Sequence, residues 1–276
     1  MTDDIDAGSR EHYRDAALYD YEYRRRRADV TFYRGLAKQV FAGRPGRILE
    51  LGAGSGRVTI PLARDGHTVV ALDQSTTMLD QLTTAAGARK AVAARVTTLA
   101  ADLCSFTAPR PRFPLVIAAF NVLEHLYTRG ELAACLTHVL AHLTDDGVFA
   151  FDVQNPDLRW LVRDPDKRWA KTRFTDPKTG RAMLYSTNHL YDPISQIALI
   201  RLYYEPADGV GPSTVVRLSQ RKWFPAELEA LVAHAGFRVR ERFGDFFSNP
   251  LDGASESQVL VCRRAPKARR KSVGSR

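Results

Sequence analysis

The chain is 276 residues long, 45% hydrophobic and 26% charged, with a formal net charge of +9. These fractions belong to a folded globular protein and exclude a disordered or collagen-like chain. No stretch approaches the roughly 20 apolar residues that span a bilayer, and the acidic residues 1–6 lack the apolar run of a secretory signal, so no membrane partner is expected.

Three widely spaced cysteines, Cys104, Cys135 and Cys262, make neither a disulfide framework nor a zinc-ligand pattern. The expected setting is a reducing cytoplasm, with no metal. Five of the nine excess positive charges sit at Lys267, Arg269, Arg270, Lys271 and Arg276. Residues 265–276 therefore read as a disordered, solvated basic tail, with an RNA- or anion-binding arm as the alternative. The arginine run 24–27 is offset by Asp20, Glu22 and Asp29, so nucleic acid is not the expected partner, and a homodimer is left open.

In chain order, residues 1–35 precede the first clear strand and read as an N-terminal helical segment. Arg47–Leu51 is a compact apolar run ending in glycines, and a helix over 57–65 stops at Gly66. Thr68–Asp73 is apolar until its terminal acid. Ser75 then stands where an N-cap belongs, ahead of Met78, Leu79 and Leu82 on one helical face. Strands follow at 95–99 and 115–119, then a helix at 131–143 ended by Asp145-Asp146-Gly147, then a strand at 148–153. This alternation implies a parallel sheet with helices on its faces.

From 156 to 222 the pattern changes to alternating aromatic strands. Residues 183–191 and 196–205 form a hairpin around Asp192-Pro193-Ile194-Ser195, and a further strand spans 214–222. The α/β pattern resumes with Pro225 at a helix start, a helix through 227–235 capped by Gly236, and strands at 238–243 and 258–263. One core, 36–155 with 223–264, thus carries an antiparallel insert at 156–222.

The segment Glu50-Leu51-Gly52-Ala53-Gly54-Ser55-Gly56 closes the first strand. Glycines there turn the chain sharply and bring backbone N–H groups against a ligand at the next helix N-terminus. A dinucleotide fingerprint would place its third glycine at Arg57; here it falls one residue early, at Gly56. A carboxylate at Glu50 suits an ammonium-bearing ligand better than a pyrophosphate. Asp73, 17 residues beyond Gly56, is placed to accept from ribose hydroxyls, and Asp102 in Ala101-Asp102-Leu103 to meet an adenine edge.

On these residues the chain resembles the class I S-adenosylmethionine (SAM) methyltransferases over roughly residues 36–263. The resemblance implies a Rossmann-like seven-stranded α/β core and SAM as cofactor, leaving S-adenosylhomocysteine (SAH). It also implies cofactor contacts from Glu50, Gly52, Ala53, Gly54, Gly56, Asp73, Gln74, Met78, Asp102, Leu103, Phe120 and Asn121. Phe120-Asn121-Val122-Leu123-Glu124-His125-Leu126 matches the family's segment after strand four, beside the methionine moiety and the transferring methyl. Before strand four, Phe113-Pro114 departs from the family's usual Phe-Asp.

The insert, Leu18-Tyr19-Asp20, Tyr191-Asp192-Pro193 and the run from Arg221-Lys222-Trp223 to Leu228 resemble glycine N-methyltransferase-like and natural-product aminosugar N-methyltransferases. In that group the N-terminal segment and insert form a lid over a small-molecule acceptor. The expected function is methyl transfer to N or O of a small molecule or short peptide in specialised, natural-product metabolism. An RNA or protein methyltransferase and a non-catalytic SAM-binding scaffold are the alternatives.

His125, after strand four at the rim where the methyl should lie, is the first catalytic candidate, against a histidine that only packs or caps. Tyr19 is the second, against an aromatic stapling the N-terminal helix. Tyr13, Tyr23, His189, Arg221 and Phe246 are candidate acceptor contacts. For His189 the bland reading is a solvated strand histidine, and for Arg221 and Lys222 exposed strand charges. Glu124 reads as a cofactor-side or surface acid.

Overall fold

The computed structural model describes residues 2–266; the positive charges of the expected basic tail, from 267 on, lie outside them. Three helices come first, α1 (Thr2–Gly8), α2 (Ala16–Tyr23) and α3 (Ala28–Val40). The α/β units follow: β1 (Arg47–Leu51), α4 (Thr59–Arg64), β2 (Thr68–Asp73), α5 (Thr76–Gly87), α6 (Lys90–Ala93), β3 (Val96–Ala100), β4 (Phe113–Ala118), α7 (Arg129–His142) and β5 (Leu143–Gln154). After α8 (Leu158–Leu161) come the insert strands β6 (Trp169–Thr175), β7 (Ala182–Asp192), β8 (Ile197–Pro206) and β9 (Thr214–Arg221). The chain returns through α9 (Pro225–His234), β10 (Phe237–Phe243) and β11 (Ser257–Arg264).

The main sheet has the order β10-β11-β5-β4-β1-β2-β3. β1 to β5 run parallel, while β11 is antiparallel to both β5 and β10. Its central strands are buried on both faces. Leu49 and Leu51 pack with Leu132, Leu136 and Val139 of α7 and Leu228 and Val232 of α9, whereas Ile48 packs with Tyr33 and Leu36 of α3 and Leu62 of α4. The carboxyl ends of β1, β2 and β4 therefore converge on one crevice, where parallel α/β sheets place ligands. Ser75 caps α5, its hydroxyl accepting from Met78 N–H at 3.3 Å.

The helix before β5 stops at His142, before Asp145-Asp146-Gly147, and the chain enters β5 directly. Pro114 explains the detour: it has no N–H for the ladder, and the β4–β5 register jumps from Phe113↔Leu143 to Leu115↔Val148. The two acids occupy that bulge.

The insert is a four-stranded antiparallel sheet, β6-β7-β8-β9. β6, an edge strand that periodicity does not signal, is mostly exposed and has a register irregularity between Trp169 and Thr172. The N-terminal segment bridges insert and core. Gly8 lies against β9, where a Cβ would come within 2.6 Å of Ser219 N. The Tyr204 hydroxyl donates to Glu22 at 2.6 Å, and the Asp20 carboxylate accepts from Ser55 and, at 3.2 Å, from Gln81. Among the described residues no helix is long and apolar enough to cross a membrane.

Candidate active site

The turn after β1 is built for close approach. Gly52 has φ +61°, and a Cβ there would meet Val122 Cγ2 at 2.4 Å; Gly54 has φ +54°, and a Cβ there would meet nothing nearer than Met78 Cε at 3.9 Å. Gly52 is thus pressed against the segment after β4, while Gly54 faces open space. Asp73 fixes the turn. Its Oδ2 accepts from Gly54 N–H and its Oδ1 from Ser75 N–H, each at 2.8 Å, leaving one lone pair per oxygen for a ligand's hydroxyls.

Glu50 is 2% exposed and accepts from the Thr59 hydroxyl at 2.5 Å. Burial pushes its carboxyl up to about 8, against the pull of Thr59 and Arg57. A ligand ammonium would return it to the charged form. Asp102, exposed at the rim, accepts from Cys104 N–H at 2.6 Å and keeps further acceptor capacity. An acid for an ammonium, an acid for two hydroxyls and an acid for a base edge around one glycine turn fit SAM.

These residues border a cavity of about 650 Å³. Glu50, Gly52, Ala53, Gly54, Asp73, Gln74, Met78, Asp102, Leu103 and Phe120 line it, as do Tyr13, Tyr19 and His125. Gly56 and Asn121 do not. Gly56 packs under Leu82, which a Cβ would meet at 2.2 Å, and the Asn121 N–H is turned to Asp152.

Asp152, which the sequence reading missed, supports the segment after β4. It is 2% exposed and accepts from the Tyr33 hydroxyl at 2.6 Å, from Phe120 N–H at 2.8 Å and from Asn121 N–H at 3.1 Å. Phe120 and Asn121 have φ of +67° and +63°. Two consecutive left-handed non-glycine residues are strained, and this carboxylate holds them. An acid inside the apolar run Phe149-Ala150-Phe151-Asp152-Val153 was the available signal. Arg57, also missed, donates to both Asp29 oxygens, one at 2.9 Å, and lies 4.4 Å over the Phe120 ring.

An aromatic wall faces this turn. Tyr19 packs its ring on His12, Tyr13 and Tyr23, with centroids 5.6, 5.8 and 4.7 Å away. The Tyr13 hydroxyl lies 2.6 Å from His125 Nε2; His125 Nδ1 lies 3.4 Å from the Tyr127 hydroxyl, itself 2.7 Å from Ser219 Oγ. Ser219 gives its proton to the Ile5 carbonyl at 2.9 Å, so Tyr127 donates to Ser219. His125 then carries its proton on Nδ1, toward Tyr127, and Nε2 accepts from Tyr13. Burial, aided by His12 and Lys222, pulls the His125 imidazole down to about 4, so it stays neutral near pH 7.

Four candidate acceptor contacts lie elsewhere. Tyr23 packs edge-on against Phe120, centroids 4.8 Å apart, and bonds His12 at 3.2 Å. His189 is buried against Trp160, centroids 3.7 Å apart, and is not the solvated strand residue expected. Arg221 is buried, donating to the Ser195 carbonyl and, at 2.9 Å, to Glu227. Phe246 borders a separate open groove beside residues 25–29. Glu124 and Lys222 are neither cofactor-side nor exposed: both are buried and paired at 2.7 Å. Among the described residues no group of three or more His, Cys, Asp or Glu could hold a metal ion.

Comparison with known proteins agrees with this geometry. A family described as "Methyltransferase domain" matches residues 48–147. A putative methyltransferase, YqeM, of Bacillus subtilis (strain 168) is 28% identical over 221 residues, covering 80% of this chain and 85% of the relative. The structure of the CcbJ methyltransferase from Streptomyces caelestis superposes with a TM-score of 0.72 at 26% identity, covering 87% of this chain and 90% of that one. The glycopeptide N-methyltransferase MtfA, in complex with SAM, shares the fold with a TM-score of 0.57 at 21% identity, covering 86% and 95%.

Proposed function

The chain is a class I SAM-dependent methyltransferase, and from that premise we propose that it methylates an amine nitrogen of a small molecule or short peptide in specialised metabolism. The observation that carries this reading is the Tyr13–His125 pair, 2.6 Å apart in the wall of the cavity that Glu50, Gly54 and Asp73 also line.

When bound, SAM would supply a methyl group activated by its sulfonium, to be taken in line by an acceptor lone pair with SAH as the leaving group. Glu50, Gly54, Asp73 and Asp102 would hold it, and Phe120 and Tyr19 would flank its reacting end. The protein's remaining task is to align a nucleophile and exclude water.

His125 is a weak base here. A group that protonates only near pH 4 gains little driving force to strip a hydroxyl acceptor. A free amine brings its own lone pair and can lose its ammonium proton to water before it enters. His125 therefore serves by accepting from Tyr13, which fixes the phenol oxygen as an acceptor for the amine N–H. Tyr19 shapes the same wall. The N-methyltransferase MtfA supports the nitrogen assignment as an analogy of fold. A cavity of about 650 Å³, shared with SAM, suits an acceptor of modest size.

The test is SAH release with the purified enzyme on matched panels of small amines, their hydroxyl counterparts, short peptides and transfer RNA, with products sited by mass spectrometry and NMR. Methyl groups on amine nitrogen of small molecules or peptides are expected. Turnover confined to hydroxyls or to RNA would overturn the proposal.

A further inference from the structure

Three consecutive residues leaving the insert, Arg221, Lys222 and Trp223, are all buried, although two are basic. Arg221 stays with the insert and α9 through Ser195 and Glu227. The next two cross to the core and grip the turn after β4. Lys222 Nζ donates to Glu124 Oε2 at 2.7 Å, to Gln154 Oε1 at 2.5 Å and to Gln220 Oε1 at 2.8 Å, so every ammonium proton has an acceptor. Glu124 Oε1 accepts from Gln154 N–H at 2.7 Å. Trp223 Nε1 donates to the Leu123 carbonyl at 2.9 Å, and its own carbonyl accepts from Gln258 at 2.7 Å.

Residues 222 and 223 thus hold residues 124 and 123, and the next residue in that turn is His125. We propose that Lys222 and Glu124 form a positioning pair, seconded by Trp223, that sets the His125 imidazole against Tyr13 and locks the insert's exit in register with the active site. This rests on the reading that Tyr13 and His125 border the acceptor.

Stability alone is a poor reason for such a pair. Two charges taken from water lose solvation that their attraction barely restores, and apolar replacements of buried pairs are often neutral or stabilising. What the pair adds is direction. Burial lifts the Glu124 carboxyl while the Lys222 ammonium pulls it back, so each partner has one arrangement that satisfies it. His189 and Arg163 stand on the Trp160 and Trp169 side of this cluster, and His12 faces His125 from the N-terminal segment. None of them bonds Lys222 or Glu124.

The experiment compares two double variants, with Trp223→Phe as an independent third. In Glu124→Gln/Lys222→Met the amide can still accept from Gln154 N–H, keeping the turn's backbone hydrogen bond without the charge pair. In Glu124→Leu/Lys222→Met that bond is gone as well, while apolar volume is retained. Read at a temperature well below each melting point, the Gln/Met protein should keep kcat within about threefold of the parent. The Leu/Met protein should lose tenfold or more, with SAH affinity by calorimetry unchanged within about twofold. The ¹⁵N shifts of the His125 ring, read in the SAH complex without acceptor, should show parent-like Nδ1–H in the first and a mixed tautomer in the second.

Trp223→Phe removes one hydrogen bond to the turn and should move the same ring signals, which keeps the claim testable if the Leu/Met protein does not fold. Parent-like ring shifts in Trp223→Phe would overturn the proposal. So would parent-like ring shifts or turnover in a folded Leu/Met protein, because a pair that only stabilises would lower the melting point and leave both alone. A parent enzyme that methylates no amine would defeat the functional reading separately, since the ring signals need no acceptor.

Discussion

Cofactor binding should release a proton, and Glu50 should be its source. In the ligand-free protein burial holds this carboxyl at about 8, so at pH 7 roughly nine molecules in ten carry the proton. The ammonium of bound SAH or SAM would favour the carboxylate, and closing the site strengthens that attraction. About 0.8–0.9 proton should therefore leave per ligand bound at pH 7, against a deprotonation cost of about 1.4 kcal/mol that vanishes above pH 9.

The sign for stability runs the other way without ligand. The folded carboxyl titrates near 8 and the unfolded one near 4.5. Glu50's contribution is thus full below pH 4.5 and lost as the pH climbs to 8. Calorimetry of SAH binding at pH 7, in buffers of different ionisation enthalpy, gives the proton count from the slope of the apparent enthalpy. Glu50→Gln, which can still accept from Thr59, should bring that slope close to zero. A parent slope near zero, or one that survives in Glu50→Gln, would refute the assignment of Glu50 to the ligand's ammonium.

Other expectations follow from the same geometry. Gly54→Val forces φ +54° on a branched residue and points its side chain into the cavity, so SAH affinity should fall at least about 100-fold; an unchanged calorimetric Kd would remove the glycine turn from the site. Tyr13→Phe and His125→Ala act on one hydrogen-bonded unit, so each should lower kcat by about 10–100-fold and the pair by no more, with SAH affinity kept; additive losses in stopped assays would show that they act separately. Asp152→Asn has one carbonyl oxygen where three donors converge, so urea unfolding should show a loss of about 2–3 kcal/mol and SAH should bind more weakly.

Much of the core was legible because its signals are local. The apolar runs Arg47–Leu51 and Thr68–Asp73 are strands with the bounds expected of them, since parallel strands buried on both faces read as continuous hydrophobic stretches. Ser75 and Gly236 announce a helix start and stop through hydrogen bonding and positive φ. β6 was silent because an exposed edge strand of Lys, Thr and Arg has no buried face to pattern. Pro114 was visible, but its consequence was not: the displaced β5 register depends on a partner strand distant in sequence.

The site divides along the same line. Glycines, Glu50, Asp73 and Asp102 stand at fixed offsets from strand ends, and the backbone places them. His189 and Arg221 were candidates by residue type, and type does not say which face of an insert strand meets the cavity; Phe246 lies in the loop after β10, whose course the sequence does not pattern. Lys222 shows the limit most clearly. A lysine ending a strand reads as surface, and only the fold brings Glu124, Gln154 and Gln220 around its ammonium. Asp20 carries the point into function. Its carboxylate accepts from Ser55 in the glycine turn and Gln81 on α5, while the adjacent Tyr19 lines the same cavity. The N-terminal segment is thus fastened to the glycine turn, so these two walls of the cavity form together.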